Sequence, residues 1–167
     1  GGSYVQAATP VWMLTGTSEC RTLASCVGTS DEIKTTITYG TTSAANNLLP
    51  TIETVSSGDG VLVSTTTKTY DFQGNLLTVD GPLPGVADTT RYRYDALRRV
   101  IGEVSPDPDG AGSLPNRAIR KTYDAADRLT KVERGTVTDQ SDGAWAAFSS
   151  LEAIDTVYDV MGRKLKE

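Results

Sequence analysis

The sequence predicts an all-β protein in which consecutive antiparallel hairpins build a curved or spiralling sheet, an arc of a shell or fibre. Three observations carry that prediction. A seven-residue pattern opening on Tyr-Asp occurs four times, alternating stretches of high β-propensity precede its copies, and clusters of Gly and Pro separate them. Recurrent self-similarity marks a repeat architecture, in which each unit completes its burial only against its neighbour.

Residues 1–59 form an irregular, Thr- and Ser-rich β segment, with strands expected at Tyr4-Val5 and Val11-Trp12-Met13-Leu14. One degenerate repeat opens at Tyr39-Gly40, and its Asn47-Leu48-Leu49 echoes Asn75-Leu76-Leu77 further on. Cys20 and Cys26 have no His and no third Cys to complete a zinc tetrahedron. They read either as a local disulfide, worth roughly 2 kcal/mol by chain entropy and implying an oxidising compartment, or as two free thiols.

Residues 60–167 hold the four clear repeats. These are Tyr70-Asp71-Phe72-Gln73-Gly74-Asn75-Leu76, Tyr94-Asp95-Ala96-Leu97-Arg98-Arg99-Val100, Tyr123-Asp124-Ala125-Ala126-Asp127-Arg128-Leu129 and Tyr158-Asp159-Val160-Met161-Gly162-Arg163-Lys164. From Tyr39 on, the Tyr-to-Tyr spacings are 31, 24, 29 and 35 residues, so the extra length lies in the connections. Stretches such as Leu62 to Tyr70 and Thr90 to Tyr94 read as strands running into the tyrosine. The aspartate that follows accepts bonds from N–H groups two or three residues on and starts a turn. Four residues after the tyrosine stands Gly74, Arg98, Asp127 or Gly162, where a left-handed backbone favours Gly, tolerates Asp and costs Arg about 1 kcal/mol. The chain then returns through Asn75 to Val79, Arg99 to Ile101, Arg128 to Val132 and Arg163 to Leu165.

Between the hairpins, Gly81-Pro82-Leu83-Pro84-Gly85 and the run from Ser105 to Gly112 are exposed loops, because Pro lacks the ladder N–H and Gly weakens a strand. The connection from Gly135 to Ser150 carries Trp145 and Phe148, apolar enough for a turn of helix or a flap on the sheet.

Composition narrows the function. The chain has 167 residues, 38% of them apolar, and a net charge of −5. A thin core follows from the apolar fraction, and the acidic balance argues against nucleic acid, which requires a clustered basic surface. No apolar run is long enough for a membrane span. Histidine is absent, so the usual general base and the Ser-His-Asp relay are missing, and an enzyme is not expected. Seven of the eleven aromatic residues are Tyr, whose ring packs while its hydroxyl stays wet.

The Tyr-Asp-x-x-Gly-Arg-Leu pattern, nearly whole around Tyr70, Tyr123 and Tyr158, resembles the YD repeat of the Rhs family, which includes polymorphic toxins, toxin-complex shell subunits and teneurins. The resemblance covers residues 60–167 well and 20–60 loosely. It implies a β-sheet that spirals into a shell around a toxin domain, in a secreted or surface bacterial protein, of which this chain supplies an arc. It also links the repeat to carbohydrate binding. Asp107-Pro108-Asp109-Gly110 matches four letters of the family's self-cleaving signature without the rest, so no protease activity is carried over.

Several residue groups admit two readings. Asp71, Asp95, Asp124 and Asp159 read as turn caps rather than catalytic carboxylates, because a repeat spreads them along an axis while acid–base work needs a converging pair. Asp107 and Asp109 suit a solvated loop better than a Ca²⁺ site, lacking the remaining oxygens of any complete motif. The tyrosines and Trp145 are expected to stack within the sheet, with a sugar platform as the alternative. Arg99, Arg128 and Arg163 are expected to bridge to acidic neighbours in the next hairpin. No cofactor is expected. The expected partners are neighbouring repeats or other copies adding strands at open edges, an enclosed toxin domain, and, as the alternative function, glycans or a receptor.

Overall fold

In a computed structural model, residues 11–22, 24–41, 46–110 and 112–166 are described, and they are nearly all β. The strands are β1 (Gly16–Cys20), β2 (Glu32–Tyr39), β3 (Pro50–Ser57), β4 (Val63–Tyr70), β5 (Leu76–Asp80), β6 (Thr90–Tyr94), β7 (Val100–Val104), β8 (Asn116–Tyr123), β9 (Leu129–Val137), β10 (Ser149–Asp155), β11 (Val157–Tyr158) and β12 (Lys164–Lys166). One short helix, α1 (Asp142–Ala146), lies between β9 and β10.

The chain divides into two compact units, residues 1–76 and 77–167. Composition places a change near residue 60, whereas the first unit extends past it because β4, the strand leading into Tyr70, pairs with β3. In this unit β1 to β4 lie side by side in chain order, each pair antiparallel. Thr54 and Thr65 share a hydroxyl hydrogen bond across β3 and β4 at 3.2 Å. The expected strand at residues 11–14 is not formed; the first described strand begins at Gly16, and Tyr4-Val5 lies outside the described residues. The structure joins Cys20 to Cys26, with Cα atoms 5.7 Å apart and Cys26 buried.

In the second unit β5 to β10 again follow chain order, each antiparallel to the next, and β11 and β12 form a separate two-stranded ribbon. The return strand after Arg128 runs on to Val137, so the connection expected from Gly135 starts later. Gly135 belongs to the ladder, opposite Ala118.

A small core sits on one face of β7 to β9, where Val104, Ala118, Val137 and Ala144 are buried and Trp145 and Phe148 pack against them. Two strand glycines admit these rings. A Cβ on Gly102 would stand 2.6 Å from the Trp145 ring, and one on Gly135 would stand 2.7 Å from Phe148. The flap is therefore a folded element. Ser141 caps α1 by accepting the Ala144 N–H at 3.1 Å, and the Gln140 amide donates to the carbonyls of Thr89 and Ser105.

Candidate functional site

The four Tyr-Asp segments form four copies of one turn. In every copy the aspartate N–H donates to the carbonyl four residues on, at 2.9–3.1 Å, and the residue three on returns its N–H to the aspartate carbonyl. The residue four after the tyrosine is left-handed in all four, with φ of 87° at Gly74, 65° at Arg98, 65° at Asp127 and 81° at Gly162. The ladder register shifts at the step into Tyr94, Tyr123 and Tyr158, and also into Tyr39, so each of these four turns begins with a bulge.

One carboxylate oxygen of each aspartate accepts two N–H groups. Oδ1 of Asp95 takes Leu97 and Arg99, Oδ1 of Asp124 takes Ala126 and Arg128, and Oδ1 of Asp159 takes Met161 and Arg163, at 2.8–2.9 Å. Asp71 does the same for Gln73 and Asn75. The cap thus reaches two and four residues on, not two or three, because the left-handed residue turns its own N–H toward the aspartate carbonyl. Oδ2 accepts the guanidinium Nε of Arg99, Arg128 or Arg163 at 2.7 Å, or the amide of Asn75. The main-chain N–H of Arg128 is the chief influence holding the Asp124 carboxyl below its ordinary range, as that of Arg163 is for Asp159. Burial works against the charge of Asp95, yet the N–H and guanidinium of Arg99 outweigh it and hold its pKa low.

The arginine expectation holds for Arg99 and is corrected for Arg128 and Arg163. Arg99 and Arg128 each fork to the aspartate of their own turn, then reach forward to the next turn's main chain and ring. Nη1 of Arg99 donates to the Asp124 carbonyl and Nη1 of Arg128 to the Asp159 carbonyl, each at 3.2 Å. The guanidinium of Arg99 lies 4.7 Å from the Tyr123 ring centroid and that of Arg128 lies 4.9 Å from Tyr158. Arg99 also meets the expected acid of the next hairpin, Asp127, at 3.1 Å. Backward, the tyrosine hydroxyls donate to carbonyls of the previous turn: Tyr123 to Val100 at 3.1 Å and Tyr158 to Leu129 at 3.0 Å. The expected stacking of tyrosines on one another gives way to this arrangement at Tyr123 and Tyr158, whose rings are covered by guanidinium groups.

The first unit carries a variant of the same link. Tyr70 donates to the Pro50 carbonyl at 2.9 Å, Tyr39 to the Leu14 carbonyl at 2.8 Å, and the Asn46 side-chain amide to the Asp71 carbonyl. Asn46, one residue before the expected echo at Asn47, therefore takes the forward-reaching role in the degenerate repeat.

A second cluster, missed in the sequence, holds the flap. Arg93 donates to the carbonyls of Gln140 and Ser141 at 2.8 Å, contacts Asp142 at 3.1 Å and stacks 5.0 Å from the Trp145 centroid. Burial pushes the Arg93 pKa down. Arg120 grips Glu133 with two bonds, at 2.8 and 3.0 Å, and lies 4.5 Å from the Phe148 centroid. Glu133 is buried, and its pKa falls to about 2, first through the Arg120 hydrogen bond. Gly102 and Gly135 inside strands were the available signal for a ring seated close to the backbone.

The remaining candidates are occupied by structure. Oδ1 of Asp107 accepts the Asp109 N–H at 3.1 Å and Oδ2 of Asp109 accepts the Leu114 N–H at 3.2 Å, so both carboxylates order their own loop. A cleft of about 260 Å³ between flap and turns is lined by Asp95, Arg99, Arg120, Tyr123 and Trp145 among others. Its aromatic faces already meet Arg99 and Arg93.

No family model matches the sequence, and neither does any curated protein. Thirteen chains of solved structures match. One is a chain in the crystal structure of TcdB2-TccC3-Cdc42, similar over 82% of this chain with a TM-score of 0.56 at 15% identity. This chain spans 7% of that one. The likeness establishes a shared β fold. No helix among the described residues is long and apolar enough to cross a membrane.

Proposed function

We propose that this chain is a non-catalytic, structural segment of YD/Rhs type within a larger secreted or surface bacterial protein, forming part of a β-wall around a toxin domain or of a repeat-built fibre. The observation that carries the reading is the forward link repeated from turn to turn: Asn46 to Asp71, Arg99 to Asp124, Arg128 to Asp159. The aspartates spend their lone pairs on turn N–H groups and side chains of their own turns, which leaves little for chemistry on a substrate. The fold likeness to a chain of the TcdB2-TccC3-Cdc42 structure supports the same class of architecture. The partners on this reading are neighbouring repeats, joined by strand addition, and an enclosed domain.

Native-state hydrogen exchange tests it. In a wall of coupled repeats, the capped amides of Ala126 and Arg128 and those of Met161 and Arg163 open together as one cooperative stretch. Hairpins that open independently would argue for separate modules and against the wall. The alternative is a glycan- or receptor-binding repeat using the Trp145 cleft. A saturable glycan-array signal lost on Trp145→Ala would transfer the assignment to it.

A further inference from the structure

We infer that Arg163 is a docking point for a further Tyr-Asp hairpin, a partner defined by a tyrosine ring and by the main-chain carbonyl of the aspartate that follows it. The inference rests on the structural reading above and gives its neighbour contact a specific surface. Two precedents within the molecule define the complement. Arg99 and Arg128, each forked to its own aspartate, contact the next Tyr-Asp turn in the same two ways, by Nη1 to the aspartate carbonyl and by the guanidinium face to the tyrosine ring. Their side chains are 21% and 32% exposed.

Arg163 has the same fork, with Nε 2.7 Å from Asp159 Oδ2 and its own N–H on Oδ1 at 2.8 Å. Its side chain is nevertheless 79% exposed, and among the described residues neither a carbonyl nor a ring meets its Nη groups. The fork already holds Nε, so less side-chain freedom is lost when a ring arrives than for a free arginine. The same hairpin exposes Val157, Met161 and Leu165, apolar surface that an added hairpin would cover.

A second intact copy does not fit this socket. In such a copy the carbonyls of Asp71, Asp124 and Asp159 already accept from Asn46, Arg99 and Arg128, the Tyr123 and Tyr158 rings are already covered, and Tyr94 is engaged within its own chain. Its first described strand, β1, contains no tyrosine. The occupant is therefore a hairpin whose Tyr-Asp turn lacks a preceding partner.

The probe is a cyclised peptide of residues 116–137, which carries Tyr123-Asp124 in hairpin form, titrated into the full chain while the Arg163 Nε–H resonance is followed by NMR, with isothermal titration calorimetry giving the affinity for the parent chain and for its Arg163 variants. The expected result is a saturable ring-current shift at Arg163. Affinity should fall at least about tenfold in Arg163→Ala, the scale of one cation–π contact with one charge-assisted hydrogen bond. Arg163→Lys should not restore it, because lysine cannot fork to Asp159 and cover a ring together. A peptide with Tyr123→Leu should leave the resonance in place. No saturable shift, equal binding by Arg163→Ala, or equal binding of the Tyr123→Leu peptide would each overturn the inference. Self-association of the chain alone that Arg163→Ala abolishes would overturn the choice of occupant. If exchange shows coupled repeats while the peptide ignores Arg163, this inference alone fails; if the coupling is absent, the structural reading fails first.

Discussion

Replacing Arg128 with alanine isolates the link between turns. The substitution removes the Nη1 bond to the Asp159 carbonyl at 3.2 Å, the cover over the Tyr158 ring at 4.9 Å and the fork to Asp124 at 2.7 Å. It leaves the two N–H bonds to Asp124 Oδ1 in place, so the turn itself persists. A hydrogen bond from a charged donor is worth about 1.5 kcal/mol, a partly exposed cation–π contact about 0.5 to 1, and a partly exposed ion pair a few tenths. These overlap in one side chain, so the expected loss is about 2 kcal/mol rather than their full sum. Arg163→Ala is the control. It carries the same sequence motif and the same fork, but its side chain is 79% exposed and has no forward contact among the described residues, so it should cost only a small fraction of that amount. Hydrogen exchange of the β9 and β11 amides measures both. Equal losses in the two variants would mean that the arginine acts within its own turn, and the case for linked turns would fall.

Three further outcomes follow from the geometry. Glu133 has a folded pKa of about 2 against an ordinary 4.5, so the folded state binds fewer protons. Its contribution is complete above about pH 4.5 and is lost as pH falls toward 2. Glu133→Gln should therefore destabilise the chain at pH 7 and flatten acid unfolding in that window, and an unchanged slope would refute the assignment. Gly102→Ala places a methyl 2.6 Å from the Trp145 ring and should cost about 1 to 3 kcal/mol while red-shifting Trp145 emission. Trp12, already 92% exposed, contributes a constant background, so unchanged emission would mean that the ring is not seated there. Arg98→Gly and Asp127→Gly each relieve a residue at φ 65°, worth about 1 kcal/mol, less the side-chain contact each removes, which for Asp127 is the ion pair with Arg99. A rise in thermal unfolding is expected for Arg98→Gly, and a fall would refute the strain.

The turns were legible because their chemistry is local. A tyrosine, an aspartate and a residue tolerant of positive φ stand at constant offsets, and the left-handed positions at Gly74, Arg98, Asp127 and Gly162 follow from those offsets. What escaped depends on contacts between distant residues. The role of Arg93 requires knowing that the segment at Gln140 folds back over β6, a separation of 47 residues that no spacing rule spans. Asn46 escaped for a related reason: its partner is the Asp71 carbonyl, and main-chain acceptors leave no trace in side-chain patterns. The forward reach of Arg128 was assigned to an acid for the same cause, since its polar target in the next turn is again a carbonyl, whereas Arg99 meets both the Asp124 carbonyl and the expected acid, Asp127.

This use of main-chain acceptors also accounts for the loose repeat period and for the preference for tyrosine. The links join turn to turn, at Tyr, Asp and the residue four after Asp, so they constrain the spacing of turns across the sheet and not the length of strand between them. Strands of five residues on either side of Tyr94-Asp95 and of eight and nine around Tyr123-Asp124 accordingly carry the same turn. Phenylalanine would keep the ring beneath arginine but lose the hydroxyl that reaches back to Val100 or Leu129. Tyrosine alone among the aromatic side chains offers the preceding turn both a ring face for its arginine and a terminal hydroxyl for its carbonyl, which is what a sheet with a core as small as Val104, Ala118, Val137 and Ala144 requires to hold its neighbours in register.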